Sequence, residues 1–337
     1  MEANSIPAIS GETRGTLPRE TMIDSGAFVV WKRGRIVSIK NYADFLQTAP
    51  WAKHVSLDVI AGKPGQRTTS EYFEAAASEG WSNFEYFQAR GLNTIPVYHY
   101  GERIEWLYKM LAETDGIVGI AASSIAIQSA CLRWYEQVWH AVGNYNPKFH
   151  LFGDITNSAI RNFDWYSVDG SSPIQGSSQG LLPLYFSEPQ FTVLILGFLN
   201  RRGMAYSRSK QISARDNFAD IESYPESVQE RFAECALEAI PLCESLMGKP
   251  FDLRESWEAR AMVSLVSFAR VTREYAAQGK VKLFVSAAHK FVLDASDVID
   301  QPFVLMSYDE MKPSKKNPES AKFIALRNFA LSQGRLF

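Results

Sequence analysis

Three aspartates stand where short apolar runs give way to small polar residues: Asp24 in IDSGAF, Asp58 in SLDVIAGKPG and Asp169 in YSVDGSS. Aspartate before serine or glycine is also ordinary turn chemistry, so residue type alone assigns no role. What joins the three is that each closes a run that reads as a β-strand. If those strands are parallel staves of one barrel, the carboxylates share its mouth, where barrel enzymes keep their reactive groups. Converging carboxylates can serve proton transfer or nucleophilic attack. Joined by histidines, as in the set His54, Asp58, His99, His150 and Asp169, they could instead gather a divalent ion, although no H-x-H pair marks the first strand. A second chemical feature is the basic loop NRRGMAYSRSK at Asn200–Lys210. There Arg201, Arg202, Arg208 and Lys210 surround Tyr206, a composition suited to phosphate contact and base stacking.

The strands that must position the aspartates are Thr21–Ile23, His54–Ile60, Thr94–Tyr98, Ile117–Ile120, Phe149–Phe152 and Trp165–Val168. Helix-period segments fall between them at Asn41–Thr48, Thr69–Ala89, Glu102–Glu113, Ile125–Val142 and Asn157–Asn162, with Thr69 and Asn157 as expected N-caps and Gly91 as an expected stop. This alternation predicts βα units and a parallel sheet. Reactive side chains at strand ends all along the run favour a closed barrel over an open sheet with one switch point. The expected fold is therefore α/β, a TIM-type (β/α) barrel that is irregular or incomplete at the N-terminus, with a mainly helical C-terminal extension. Residues 1–180 read as the catalytic barrel core. Residues 181–337 read as barrel completion and a helical region with nucleic-acid contacts. In that second part Phe191–Leu199 and Val281–Ser286 are expected strands, Glu226–Met247 and Leu253–Gln278 amphipathic helices, and Lys312–Ser320 a solvated loop before a last helix.

With 337 residues, 46% of them hydrophobic, the chain has ample material for a packed core, which argues against global disorder. Its formal charge of −2 excludes a globally basic nucleic-acid-binding domain and leaves only local basic surfaces. Cys131, Cys235 and Cys243 form no C-x-x-C pair, which argues against a disulfide framework and a thiolate zinc site. The first residues lack the basic and apolar regions of a signal peptide, and no long apolar run follows. A soluble protein of the cytoplasm is expected, without membrane contact, cofactor or metal.

Taken as a set, the motifs resemble the tRNA-guanine transglycosylase superfamily. DSGAF at Asp24–Phe28 resembles its DSG(G/A)F motif, and the succession of LDVI, PVYH, VGIA, HLFG and SVD is similar to its barrel over residues 21–172. LDVIAGKP at Leu57–Pro64, IPVYHYGE at Ile95–Glu102 and WYSVDGSS at Trp165–Ser172 resemble the phage branch of DpdA-type DNA-guanine transglycosylases, which install 7-deazaguanine bases in DNA. For a phage-encoded chain the compartment would be the host cytoplasm. The resemblance implies a pentosyltransferase that exchanges guanine in DNA for a 7-deazaguanine such as preQ0, with Asp169 as nucleophile and Asp24 as proton-handling partner. The physical need agrees, because an N-glycosidic bond breaking through an oxocarbenium-like transition state requires a carboxylate at the anomeric carbon and a proton donor at the leaving base. By the same resemblance Asp58 reads the base edge, and Phe28 and Phe152 sandwich the flipped base. His99 bonds the base or its 7-substituent, while Gly26 and Gly119 let a flat heterocycle approach the backbone.

Three departures accompany the resemblance, one of them beside the expected nucleophile, where the phage pattern VDS-T-S-W is replaced by Val168-Asp169-Gly170-Ser171-Ser172-Pro173, which keeps the aspartate and changes the wall around it. The C-x-C-x-x-C zinc motif of the tRNA enzymes is absent, and too few residues precede DSGAF for the two strand–helix units that open the standard barrel. Closure is expected to recruit the N-terminal segment or later strands such as Phe191–Leu199 and Val281–Ser286. The same exchange on tRNA, a metal-dependent barrel hydrolase and a non-catalytic nucleic-acid-binding protein are the alternative readings.

Overall fold

The computed structural model describes residues 20–34, 36–64, 68–114, 116–122, 126–143, 145–178, 180–186, 192–197, 225–253, 256–287 and 290–308. In chain order the elements begin with β1 (Glu20–Asp24), α1 (Ala27–Arg33), α2 (Ile39–Gln47), β2 (Lys53–Val55) and α3 (Ser70–Ala89). Next come β3 (Thr94–Ile95), β4 (Val97–His99), α4 (Ile104–Glu113), β5 (Ile117–Ala121), α5 (Gln128–Val142), β6 (Lys148–Phe152) and α6 (Asn157–Asn162). The second half supplies β7 (Ser167–Gly170), α7 (Ser172–Ser178), β8 (Leu181–Phe186), β9 (Thr192–Gly197), α8 (Glu226–Met247), α9 (Trp257–Ala277), β10 (Lys282–Ser286), α10 (Lys290–Val298) and β11 (Phe303–Ser307).

Nine strand segments form one parallel sheet in the order β3-β2-β1-β11-β10-β7-β6-β5-β4. Its two ends, β3 and β4, are halves of a single run interrupted at Pro96, which has no N–H for the ladder. The first half pairs with β2, His54 opposite Thr94, and the second with β5, Val97 opposite Gly119. At the break the Gly119 N–H donates to the Pro96 carbonyl at 2.8 Å, and the Ser56 N–H donates to the Ile95 carbonyl at 2.8 Å. The run Thr94–His99 thereby joins the sheet's two edges, giving a TIM-type barrel whose staves follow one another in chain order.

Between β1 and β7, β11 and β10 complete the circle. Val281–Ser286 thus serves as expected, and β11, which pairs with β1 from Glu20–Phe303 to Asp24–Ser307, is a stave the sequence reading missed. The expected strand Phe191–Leu199 is not a stave: β9 pairs antiparallel with β8 in a separate two-stranded sheet. The second strand stops at Val55 rather than Ile60, because the Asp58 N–H turns back onto the Ser56 carbonyl at 2.9 Å and carries the chain out of the ladder. The cap of α6 is Thr156, whose hydroxyl accepts the Ala159 N–H, rather than Asn157. Thr69 holds the cap position of α3 without a side-chain bond. The loop bearing Arg201, Arg202, Tyr206, Arg208 and Lys210, and the segment Lys312–Ser320, lie outside the described residues.

Strand alternation sorts the side chains into two layers. Met22, Val55, Ile95, Val97, Ile117, Phe284, Phe303 and Leu305 fill the barrel. Ile23, Val118, Ile120, Val168, Leu283, Val285 and Val304 point outward into the core under the helices. No helix among the described residues is long and apolar enough to cross a membrane.

Candidate active site

The same period of two fixes where the reactive groups go. Asp24 lies two residues beyond inward Met22, His99 two beyond inward Val97, and Asp169 directly after outward Val168. All three therefore point into the barrel at the carboxyl ends of their strands. There they line one cavity of about 380 Å³ together with Asp58, Phe28 and Phe152. Gln175, Ser171, Ser286 and Ser307 add polar groups to its wall.

Asp24 is strongly perturbed by its surroundings. Burial, then the charges of Asp58 and Asp169, push its pKa up to about 8, against weaker support from the backbone N–H groups of Gly26 and Ser25. The Gly26 N–H reaches Asp24 Oδ2 at 3.2 Å, and the turn that permits this has φ of +76° at Gly26, a value glycine adopts without strain. At neutral pH Asp24 is a protonated carboxyl, able to donate.

Asp58 is gripped on both oxygens. The Ser25 hydroxyl donates to Oδ1 at 2.8 Å and His99 Nε2 lies 3.0 Å from Oδ2. Behind His99, Glu102 takes Nδ1 at 3.2 Å on one oxygen and the His99 backbone N–H at 3.0 Å on the other. Burial by itself would lower the His99 pKa, but bonds to Asp58 and Glu102 and their charges outweigh it and hold it at about 10. His99 is thus an imidazolium clamped between two carboxylates.

Asp169 is held differently. Its Oδ1 accepts the Gly153 N–H at 2.7 Å, and Oδ2 has no hydrogen bond among the described residues. Wholly buried His150 stands behind it, Nε2 at 3.6 Å from Oδ1 and without a hydrogen-bond partner among the described residues. The other ring nitrogen of His150 lies 2.8 Å from Ser167 Oγ, and its ring meets Phe152 and Phe284 edge-on. Phe28 and Phe152 both line the cavity, Phe28 at the rim with 43% of its surface exposed.

The structure gathers Asp24, Asp58, Asp169, His99, Phe28 and Phe152 as the motifs suggest. Gly26 and Gly119 are not on the cavity wall. Gly26 shapes the Asp24 turn, and a Cβ on Gly119 would stand 2.5 Å from the Phe152 ring, so this glycine makes room for Phe152. Sequence reasoning missed Ser25, Glu102, Gly153 and the placement of His150. Glu102 was detectable as an acid three residues after His99. Gly153 contributes a backbone group, which no side-chain pattern announces.

His54 leaves the group proposed for metal binding. Its Nε2 lies 2.7 Å from the Ala49 carbonyl, and it faces a separate cleft with Arg90, Lys148 and Tyr166. Among the described residues no three His, Cys, Asp or Glu side chains are grouped to hold a metal ion. Compared with known protein families, curated proteins and solved structures, the chain matches none.

Proposed function

We propose that this chain is a DNA-guanine transglycosylase, exchanging guanine for a 7-deazaguanine base such as preQ0 by double displacement. The observation that carries the reading is one largely apolar-walled cavity lined by Asp169 and by a second carboxyl, Asp24, whose pKa of about 8 keeps it protonated. In the first displacement an Asp169 oxygen attacks C1′ of the extruded nucleotide as the C1′–N9 bond breaks, and Asp24 gives its proton to the departing guanine. In the second, the incoming base surrenders its N9 proton to the Asp24 carboxylate. Its N9 then displaces Asp169 from C1′, with net retention. Asp58, fixed by Ser25 and His99, retains lone pairs for the N1–H and exocyclic amine of the purine. A flat cavity wall formed by Phe152, with Phe28 at the rim, suits a base taken out of its stack.

The choice of DNA over tRNA rests on the motif resemblance to the phage branch. The test is mass spectrometry of nucleosides from DNA and from tRNA after expression beside a preQ0 supply. Modified deoxyguanosine is expected with the wild-type chain and is expected to vanish with Asp169→Ala. Modification confined to tRNA overturns the polymer. An effect on nucleic acid that persists in both Asp24→Ala and Asp169→Ala overturns the enzyme.

A further inference from the structure

Residues 25–43 contain Lys32, Arg33, Arg35 and Lys40 and no aspartate or glutamate, and residues 59–70 contain Lys63 and Arg67 and likewise no acid, in a chain whose formal charge is −2. The first segment begins at the active-site turn and includes α1; the second leads away from Asp58. Both therefore leave the cavity mouth directly.

The described parts of the two segments form one surface. The Trp31 indole N–H donates to the Gly62 carbonyl at 2.9 Å, fixing α1 against the loop that carries exposed Lys63. On α1, Phe28 and Lys32 are one turn apart, and the Lys32 ammonium stands 5.8 Å from the centre of the Phe28 ring. Lys32 and Arg33 are exposed, and among the described residues Lys32 and Lys63 have no carboxylate partner. Lys40, by contrast, lies one helix further on and is paired with Asp44. Phe28 belongs at once to the cavity wall and to the outer surface, so the cations flank the entrance and not some distant face.

We propose that α1 and residues 62–64 form a phosphate-gripping lip for the DNA strand that carries the target nucleotide, with Lys32 and Lys63 meeting the backbone beside the extruded base. The inference rests on the base-exchange reading for its occupant. A polyanionic strand matches a lip built from two cationic segments that carry no acid of their own, and backbone contacts there hold the register while the cavity reads the base.

The test is fluorescence anisotropy of short guanine-containing deoxyoligonucleotides, single- and double-stranded, titrated with the full chain over a range of salt. In the Lys32→Ala/Lys63→Ala variant, Kd is expected to rise roughly tenfold, and the slope of log Kd on log salt to shrink by about 1.5 to 2, close to one per lost cation. Lys40→Ala is expected to bind as wild type, and matched thermal melts show that the variants fold. An unchanged salt slope in the double variant overturns the lip, and base exchange persisting at the wild-type rate in that variant leaves the enzymatic reading standing alone. Binding of an RNA of the same sequence in place of DNA overturns the occupant. DNA binding that depends on both lysines, in a wild-type chain that never incorporates preQ0, supports the lip and removes the base exchange.

Discussion

The Asp58 wall and the Asp169 wall of the cavity are each backed by a buried histidine, and the two histidines are built on different terms. His99 is charged and sits between Asp58 and buried Glu102. His150 has a serine on one nitrogen, aromatic edges around it, and Asp169 beyond hydrogen-bond range on the other. Asp58 consequently has both oxygens committed, whereas Asp169 has one held by Gly153 and the other uncommitted among the described residues. A carboxylate that must read a base edge gains from being fixed by charge. In the proposed exchange, one that attacks C1′ needs an oxygen that no other group occupies.

The sharpest way to break this contrast is to remove the charge on one side. His99→Leu leaves Asp58 and Glu102 facing each other without a cation, and is expected to cost about 3–5 kcal/mol at pH 7. Urea unfolding measures it. A loss under 1 kcal/mol would mean that His99 carries no such charge.

The pH dependence of stability tests the same side, with Asp24 added. His99 has its folded pKa raised to about 10 from 6.5, so its stabilisation is full below pH 6.5 and is lost as pH rises through 10. Asp24 is raised to about 8 from 3.8, so its burial is unpenalised below pH 3.8 and increasingly costly up to pH 8. Both act in one direction, and thermal melting is expected to fall steadily from pH 6.5 to 10. Asp24→Asn is expected to make the folded state more stable at pH 9 by about 2 kcal/mol, after discounting the full shift for its partial exposure, and to lower base exchange roughly 10²–10⁴-fold. A melting profile that rises with pH over this window contradicts both assignments.

The smallest effect is expected on the Asp169 side. His150→Phe replaces a ring already packed among Phe152 and Phe284 and forfeits one bond, to Ser167, for a cost of about 1 kcal/mol. Urea unfolding that costs as much as His99→Leu would erase the distinction between the walls.

The aspartate-bearing staves β1 and β7, the intervening β5 and β6, and the helices between them were legible because each combines an apolar run with a helix-period segment of adequate length. Elements that were not legible had weak local signals. The helices α1 and α7 span seven residues each, and β11 follows α10 in a part of the chain without a motif. The end of β2 was read too far, since Asp58 continues an apolar run in sequence but sits on a turn in the structure.

Residue order alone determined that Asp24, Asp58 and Asp169 close apolar runs, because hydrophobic alternation and turn chemistry are local properties of the chain. Only the tertiary structure decided that the run Thr94–His99 joins both edges of the sheet, that Asp58 and Glu102 together keep His99 charged, and that a backbone N–H from Gly153 holds Asp169. Those depend on ladder register and on which groups lose their water together, and burial of one carboxyl beside two others is what turns an ordinary Asp24 into an acid that stays protonated.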